Sequence, residues 1–171
     1  MWFDELNTAI GTLTIAADDS GLRYVLFENN KYVPERQYWQ RDIGPTRMAR
    51  AQLQQYFAGE RQTFDLQLSP VGTEFQQKTW AMLAQIPFGK TWSYGELAGN
   101  IAAPKAVRAV GAANGRNPLP IILPCHRVIG SNGSLTGFGG GLTTKKWLLD
   151  HEGAPAQFMI EFSQKNHSPA R

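Results

Sequence analysis

Alternating apolar and polar positions open the chain and predict β-strands. Residues 1–34 contain GTLTIAA, a turn at DDSG and then LRYVLF, a pattern typical of a β-hairpin. Further along, residues 60–72 are mostly polar and include FDLQL, which predicts a connection holding one short strand. We place a domain boundary in this connection, between a first domain at 1–70 and a second at 73–160.

Apolar residues at helical spacing follow the hairpin and return after the connection. The first predicted helix runs from Thr46 to Gly59. Its apolar face is formed by Ala49, Leu53, Tyr56 and Phe57. The second helix begins at a T-x-x-Q capping box, Thr73 with Gln76. Its expected buried residues are Phe75, Leu83 and Ile86, and its stop signals are Pro87 and Gly89.

Two shorter helices are predicted next. Ser93 and Glu96 form an S-x-x-E box that opens a helix ending near Ala103. Pro104 suits the first turn of another helix, over 104–115. Two short helices joined by a few residues predict a helix-turn-helix. Beyond them, residues 161–171 are expected to form a flexible tail.

The second helix of this pair has an unusually smooth side. Ala106, Ala109 and Ala113 recur at helical spacing, and Lys105, Arg108 and Ala112 form the adjacent stripe. Reading of base edges in the major groove requires Asn, Gln or several Arg. The pattern therefore favours a narrow-groove or backbone contact over base-specific recognition. The alternative is close packing of the alanines inside the domain.

Composition limits the class of protein. The chain has 171 residues, of which 42% are hydrophobic and 11% aromatic, enough to bury a core in one compact domain or two small ones. We find no apolar run of bilayer length and no signal-peptide pattern in residues 1–25. The expected protein is soluble and cytoplasmic, with no membrane partner.

Charge is divided unevenly along the chain, whose formal net charge is +3. Residues 97–149 contain six Lys and Arg and no Asp or Glu, whereas the rest contains 11 basic and 14 acidic residues. An acid-free basic stretch is typical of a surface that binds a polyanion such as DNA. The alternative is a modestly basic surface without a partner.

The chain has one cysteine, Cys125, in NPLPIILPCHRVIG. One Cys excludes an internal disulfide, and the three His offer no zinc-site spacing, so no metal is expected. Prolines 118, 120 and 124 predict a stiff, extended approach to the thiol. A lone Cys is most often a buried apolar residue. The following His126 and Arg127 instead favour a reactive thiolate.

Glu152, in the downstream segment HEG, could orient an imidazole as the third member of a relay. Neighbouring side chains in an extended strand point to opposite sides. A direct bond between Cys125 and His126 is therefore not expected, and the relay requires a turn or a bridging water.

A family resemblance is carried by blocks that follow one another within residues 73–153, among them RAVGAANGRNP, PCHRVIG, GFGGGL and KKWLLDHEG, and more loosely by GTLTIAADDSGL in the N-terminal region. Together they resemble the O6-alkylguanine-DNA alkyltransferases, in their stand-alone bacterial form. The resemblance implies an α+β fold, with an N-terminal sheet-and-helix, ribonuclease H-like domain and a winged-helix-like domain that carries the helix-turn-helix. It also implies single-use DNA repair without a cofactor, by a monomer that binds duplex DNA; cooperativity on DNA stays open.

The resemblance assigns roles to individual residues. Cys125 would accept a methyl or larger alkyl group from O6 of guanine, and also from O4 of thymine. His126 would act as base through a water, with Glu152 on its other nitrogen and Asn117 as a hinge. Arg108 would fill the stack after the nucleotide flips out, and Tyr94 would contact the 3′ phosphate and donate a proton to the leaving base. The minor groove would be lined by Ala106, Val107, Ala109 and Gly111.

The same resemblance defines a pocket for the flipped base. Its members would be Pro120, Val128, Phe138, Gly139 and Lys145. Phe138 stands where many relatives have Tyr, and Gly139 stands where some have Ser. A glycine leaves more room, so we expect tolerance of alkyl groups larger than methyl. The position of Lys145 implies a place near the pocket without a settled role.

Three other functions compete with this one. A non-catalytic relative that only signals alkylated DNA lacks the cysteine that this chain keeps. A cysteine hydrolase would need an oxyanion hole, for which the sequence gives no sign. A transcription factor is disfavoured because the alanine face offers little base readout.

Overall fold

A four-stranded sheet and one helix form the first half of the computed structural model, which describes residues 1–154. The strands are β1 (Trp2–Thr8), β2 (Gly11–Asp18), β3 (Gly21–Leu26) and β4 (Gln40–Arg41), in the order β3-β2-β1-β4. Neighbours among β1, β2 and β3 are antiparallel, and β4 is parallel to β1. The predicted hairpin is confirmed as β2 and β3. The expected tail at 161–171 lies outside the described residues.

Helix α1 (Arg47–Phe57) packs its apolar face into the core that the sheet begins. Ala49, Leu53 and Tyr56 are buried and Phe57 is half-buried, so the predicted helix and its inner face are confirmed. Gly59 follows the helix at a positive φ of 77°, a conformation that glycine adopts without strain.

The short strand predicted within FDLQL is wrong. Only Leu68 comes alongside the sheet, in an isolated bridge to Leu22. The side chain of Gln52, on α1, explains the difference: its Nε2 donates to the carbonyl of Asp65 and its Oε1 accepts from the amide of Asp65, each at 2.9 Å. These bonds take up the backbone groups that a strand would need.

Helices dominate the second half. They are α2 (Glu74–Leu83), α3 (Tyr94–Asn100), α4 (Val107–Gly115) and α5 (Leu142–His151), with a 3₁₀ turn at Cys125–Arg127. The capping box of Thr73 and Gln76 is confirmed in both directions. Helix α2 ends earlier than predicted, since Ile86 lies beyond it in a turn. Phe75, expected to be buried, is half-buried.

The helix-turn-helix is confirmed as α3 and α4, with two corrections. Ser93 caps α3 by accepting from the amide of Glu96, and α3 ends at Asn100 rather than near Ala103. Helix α4 begins at Val107, so Pro104 and Lys105 lie in the preceding turn and not in the helix. The amide of Ala106 donates to the carbonyl of Ala103 and closes that turn before α4 can start.

The sequence pattern did not predict a pair of two-residue strands, because two residues are too few to show an alternation of apolar and polar positions. Strand β5 (Trp92–Ser93) runs parallel to β6 (Val128–Ile129), with Trp92 opposite Val128. The pair fixes the start of the helix-turn-helix beside the segment that follows Cys125. The architecture is the predicted one, a sheet-and-helix domain followed by a mainly helical domain; the boundaries at 70 and 73 remain predictions. None of the helices in residues 1–154 has the length and apolarity to cross a bilayer.

Candidate active site

The approach to Cys125 is a compact turn and not the extended segment predicted from its prolines. The amide of Leu123 donates to the carbonyl of Leu119 at 2.9 Å. Asn117 holds both ends of the turn: its Nδ2 donates to the carbonyl of Leu123 at 2.7 Å, and its Oδ1 accepts from the amide of Leu119 at 3.0 Å. Four apolar residues within five positions, 119 and 121–123, are buried, and burying all four requires the chain to fold back.

The thiol lies at the start of the 3₁₀ turn and is 5% exposed. The carbonyl of Cys125 accepts from Nδ2 of Asn114 at 3.3 Å. Burial raises the pKa of the Cys125 thiol to about 11, although Asn117 and the ammonium of Lys145 oppose that rise. At this buried position the sulfur is therefore protonated, as a thiol, and its proton needs an acceptor before the sulfur can attack.

His126 and Glu152 lie together, fully buried at their side chains. Nε2 of His126 is 2.7 Å from Oε2 of Glu152. The carboxylate can only accept, so Nε2 carries the hydrogen and Nδ1 is the basic nitrogen. Nδ1 has no partner among the described residues. The 3₁₀ turn supplies the turn that the sequence required here, and no direct hydrogen bond joins the imidazole of His126 to the thiol of Cys125 within the described part of the chain.

Two further residues, Arg127 and Tyr56, bind the same carboxylate, and the sequence predicted neither contact. Arg127 donates from Nε to Oε1 of Glu152 at 2.7 Å and from Nη2 to Oε2 at 3.0 Å. Its Nη1 donates to the carbonyl of Ile86 at 2.7 Å. The hydroxyl of Tyr56, on α1, donates to Oε2 at 2.6 Å. Arg127 is therefore committed to Glu152, and the expectation that it favours a thiolate at Cys125 is replaced by this ion pair.

These contacts set the protonation of the relay. Burial would raise the pKa of Glu152, but the hydrogen bond from His126 and the paired guanidinium of Arg127 hold it well below its usual range. Burial lowers the pKa of His126, and the positive charges of Arg127 and Lys145 add to that, whereas Glu152 opposes it. Near neutral pH, the carboxylate is ionised and the imidazole is neutral, ready to take a proton.

Lys145, on α5, is fully buried and connects strand β6 to the loop that follows it. Its Nζ donates to the carbonyl of Val128 at 2.6 Å and to that of Thr136 at 2.9 Å. The hydroxyl of Tyr94 donates to the same Thr136 carbonyl at 3.1 Å. Burial lowers the pKa of Lys145 to about 8, although the nearby Cys125 raises it. Tyr94 and Lys145 thus hold the segment that leads into GFGGGL.

A cavity of about 460 Å³ opens beside the thiol. Three of the predicted pocket residues line it with Cys125: Pro120, Phe138 and Gly139. The other two, Val128 and Lys145, are fully buried and do not line it. A Cβ added at Gly139 would lie 3.7 Å from the carbonyl of Gly115, which is ordinary contact, so a larger residue would fit by taking space from the cavity.

The first domain supplies part of the cavity wall, which the sequence did not indicate. Residues 30–34, which lie between strands β3 and β4, line the cavity. The amide of Lys31 donates to the carbonyl of Gly139 at 3.1 Å. The guanidinium of Arg116 lies 3.9 Å from the ring centre of Tyr32. The cavity is thus shared between the two halves of the chain.

The outer face of α4 differs from the predicted alanine face. Ala109 is exposed and Ala106 half-buried, but Ala113 is buried and its carbonyl accepts from Nε1 of Trp80 at 2.8 Å. The exposed residues of this helix and its preceding turn include Lys105, Val107, Arg108, Ala109 and Ala112. Gly111 faces Tyr94, whose ring would contact a Cβ there at 3.7 Å. The packing alternative thus holds for Ala113, whereas Ala109 and Ala112 leave a shallow surface beside Arg108, whose contact with a groove stays a prediction.

The fold and the site together define a class: a two-domain protein whose second domain holds a helix-turn-helix and a buried free cysteine. Comparisons with known proteins agree. Residues 74–154 match the model "6-O-methylguanine DNA methyltransferase, DNA binding domain", and residues 3–70 match "6-O-methylguanine DNA methyltransferase, ribonuclease-like domain". The chain belongs to the 6-O-methylguanine DNA methyltransferase family, whose members repair alkylated DNA by direct transfer to a cysteine.

Relatives resemble the chain over nearly its whole length. A methylated-DNA–protein-cysteine methyltransferase of Methanosarcina acetivorans is 48% identical over 90% of this chain and 99% of its own. One of Mycobacterium bovis is 49% identical over 91% of this chain and 95% of its own. The structure of Mycobacterium tuberculosis OGT in complex with DNA superposes with a TM-score of 0.86 at 47% identity, covering 94% of this chain and 99% of that one.

Proposed function

We propose that this protein repairs duplex DNA by moving an alkyl group from O6 of guanine to Sγ of Cys125, once per molecule. The observation that carries the proposal is the placement of the chain's single cysteine. It lines the cavity, precedes the buried pair of His126 and Glu152, and lies in the same domain as the helix-turn-helix. The relatives named as methyltransferases and the solved DNA complex support the same reaction.

The reaction is a single displacement at carbon. Sγ of Cys125 attacks the alkyl carbon, a carbon–sulfur bond forms, and the bond from that carbon to O6 breaks with its electron pair on the base. The thiol proton leaves to His126, and the guanine gains one proton. The product is a thioether, which neither water nor a second side chain readily displaces, so each molecule acts once.

His126 is suited to take the thiol proton. Its Nδ1 is the unprotonated nitrogen of a neutral, buried imidazole and has no hydrogen-bond partner in residues 1–154, and Glu152 fixes the Nε2–H tautomer. A bridging water between Nδ1 and Sγ would complete the path. Tyr94 is the proposed donor to the leaving base, since burial raises its pKa and keeps the hydroxyl protonated. Asn117 holds the backbone of the turn that ends at the nucleophile.

We propose that the exposed face of α4 contacts the minor groove of the DNA. A thiol inside the protein cannot reach a stacked base, so the damaged nucleotide must rotate out of the duplex. Arg108 is exposed on this face and is the proposed replacement in the stack. Val107, Ala109 and Ala106 present small side chains that permit close approach of the backbone, and Gly111 allows α4 to approach Tyr94.

The cavity supports acceptance of lesions larger than O6-methylguanine. Phe138 gives it an aromatic wall that packs against Phe27 with ring centres 5.5 Å apart, and Gly139 leaves its side open. We extend the proposal to larger alkyl groups and to O4-alkylthymine. We also propose that the protein works as a monomer in the cytoplasm, and we leave cooperativity on DNA open.

Intact mass measurement tests the proposal directly. The protein is mixed with a duplex that holds one O6-methylguanine, and its mass is expected to rise by one methylene, with one lesion repaired per molecule. Cys125→Ala, which removes the sulfur and no other heavy atom, should gain no mass. Repair of many lesions by each molecule, or an equal mass gain in Cys125→Ala, would overturn the proposal.

A further inference from the structure

Tyr56 connects the first domain to the relay beside Cys125. It lies on α1, is fully buried, and donates its hydroxyl to Oε2 of Glu152 at 2.6 Å. We propose that Tyr56 is a positioning residue for alkyl transfer, holding the carboxylate of Glu152 in the place from which it fixes the ring of His126. This inference rests on the function proposed above.

The two hydrogen bonds share one oxygen atom. Nε2 of His126 lies 2.7 Å from the same Oε2 that accepts from Tyr56. Arg127 holds the carboxylate from its own side, with Nε on Oε1 at 2.7 Å. Because the donors come from α1 and from the 3₁₀ turn, the carboxylate of Glu152 cannot rotate without breaking at least one bond. Its orientation, and with it the tautomer of His126, is fixed by both domains.

The ring of Tyr56 is itself held firmly, so the hydroxyl has little freedom to leave. Phe64 lies 5.7 Å away between ring centres and Phe88 lies 6.4 Å away. His151 packs its ring edge-on at 5.1 Å, and its Nε2 is 2.7 Å from the backbone oxygen of Tyr56. Packing needs only the ring. The hydroxyl is the part that reaches Glu152, and a phenylalanine would fill the same space without it.

The groups around His126 predict how the hydroxyl of Tyr56 affects the protonation of the imidazole. His126 faces Glu152 and Lys145 from α5 and its end, Arg127 and Cys125 from its own turn, and the hydroxyl of Tyr56 from α1. A donor on Oε2 withdraws electron density from the carboxylate. Without that donor the carboxylate is a stronger acceptor for the Nε2–H and stabilises the protonated imidazole more. As the pH falls, His126 then takes a proton, and stops acting as a base, at a higher pH than in the wild type.

Tyr56→Phe tests the role because it removes one oxygen and keeps the ring. The single-turnover rate on an O6-methylguanine duplex is measured from about pH 5 to 8. We expect the acid fall in rate to move to higher pH, and the rate near neutrality to drop about fivefold, as for loss of one hydrogen bond. Phe64→Leu is the matched control, since it loosens the same ring cluster without touching the hydroxyl; its profile should follow that of the wild type.

A double variant shows whether Tyr56 acts through Glu152. In a Glu152→Gln background, Tyr56→Phe should change the pH profile no further. A Tyr56→Phe profile that superposes on the wild type, or an undiminished effect in the Glu152→Gln background, would overturn the positioning role alone. Failure of the wild-type protein to take the methyl group on Cys125 would instead overturn the proposed function.

Proton NMR of the wild-type protein gives a test that needs no variant to fold. A hydroxyl proton shared with a buried carboxylate should exchange slowly with water and resonate at low field. It should show a nuclear Overhauser effect to the Nε2–H proton of His126. A hydroxyl proton of Tyr56 that exchanges as fast as one in water would contradict the inference.

Discussion

Arg127 and Glu152, 25 residues apart in the chain, form a buried ion pair with Nε and Oε1 2.7 Å apart. The pair has a consequence for the neighbouring His126. Because the guanidinium already neutralises the charge of the carboxylate, Glu152 stabilises a charged imidazole less, and His126 can stay neutral beside it. The relay thus has a base with an unprotonated nitrogen and an ionised carboxylate at the same time.

Breaking this pair should cost much more stability than breaking an exposed one. Arg127→Met leaves Glu152 buried without its cation, and we expect a loss of about 3–5 kcal/mol in the free energy of unfolding. Lys146→Met, which breaks the exposed pair with Asp150, should cost about 0.5 kcal/mol or less. Urea denaturation of both variants measures the difference. Equal losses would show that the buried pair has no special role.

Acid should destabilise the protein in a stage that depends on His126. Its pKa in the fold lies below the ordinary value of 6.5, so the unfolded chain takes a proton first as the pH falls, and folding stability falls with it. Glu152 acts in the same direction at lower pH, since its pKa lies below the ordinary 4.5.

The His126→Gln variant removes the first of these stages. Between about pH 7.5 and 5.5 it should lose less stability than the wild type, by about 1 kcal/mol, as measured by urea unfolding at each pH. An identical loss in both proteins would mean that His126 does not titrate in this window.

Arg108→Ala should separate nucleotide flipping from the alkyl-transfer step. If Arg108 fills the gap left by a flipped nucleotide, its loss should slow repair of a duplex about 10- to 100-fold, the range expected for part of an unstacking energy of a few kcal/mol. Reaction with the free base O6-benzylguanine needs no flipping and should keep its rate. Lys105→Ala, in the turn before α4, serves as control and should only weaken DNA binding in a salt-dependent way. Equal slowing of free base and duplex would contradict a role in flipping.

Gly139→Ser should narrow the range of lesions. A Cβ there takes space at the cavity wall near the carbonyl of Gly115, so transfer of a benzyl group should slow about 10-fold relative to transfer of a methyl group. Gly139→Ala adds the Cβ without the hydroxyl and separates bulk from hydrogen bonding. Benzyl transfer by Gly139→Ser at the wild-type rate would refute the steric account.

Periodicity and short-range caps predicted most of the framework. The buried face of α1 and the capping box of Thr73 with Gln76 follow from spacing over a few residues, and both are confirmed. The start of α4 was misplaced because proline tolerates a turn as well as the first turn of a helix. The strand expected in FDLQL failed because Gln52, from a distant helix, occupies the backbone of Asp65.

The site was predicted where a recognisable motif holds the residue and missed where a contact joins residues outside such motifs. Cys125, His126 and Glu152 were singled out from the local motifs and the resemblance, and the structure gathers them; their roles stay predictions. The hydroxyl of Tyr56 is 96 residues from Glu152 in the chain, and nothing in the local pattern of α1 distinguishes it from an apolar core residue. The two-residue strands β5 and β6 were likewise too short to detect.

The separation between Tyr56 and Glu152 also bears on folding. Glu152 directly follows α5, 26 residues after His126 and 96 residues after Tyr56, so the relay needs contacts between parts of the chain that are far apart in sequence. Closing contacts so distant in sequence is expected late in folding. A partly folded molecule then carries Cys125 without the positioned imidazole that would take its proton, and the complete relay comes only with the complete fold.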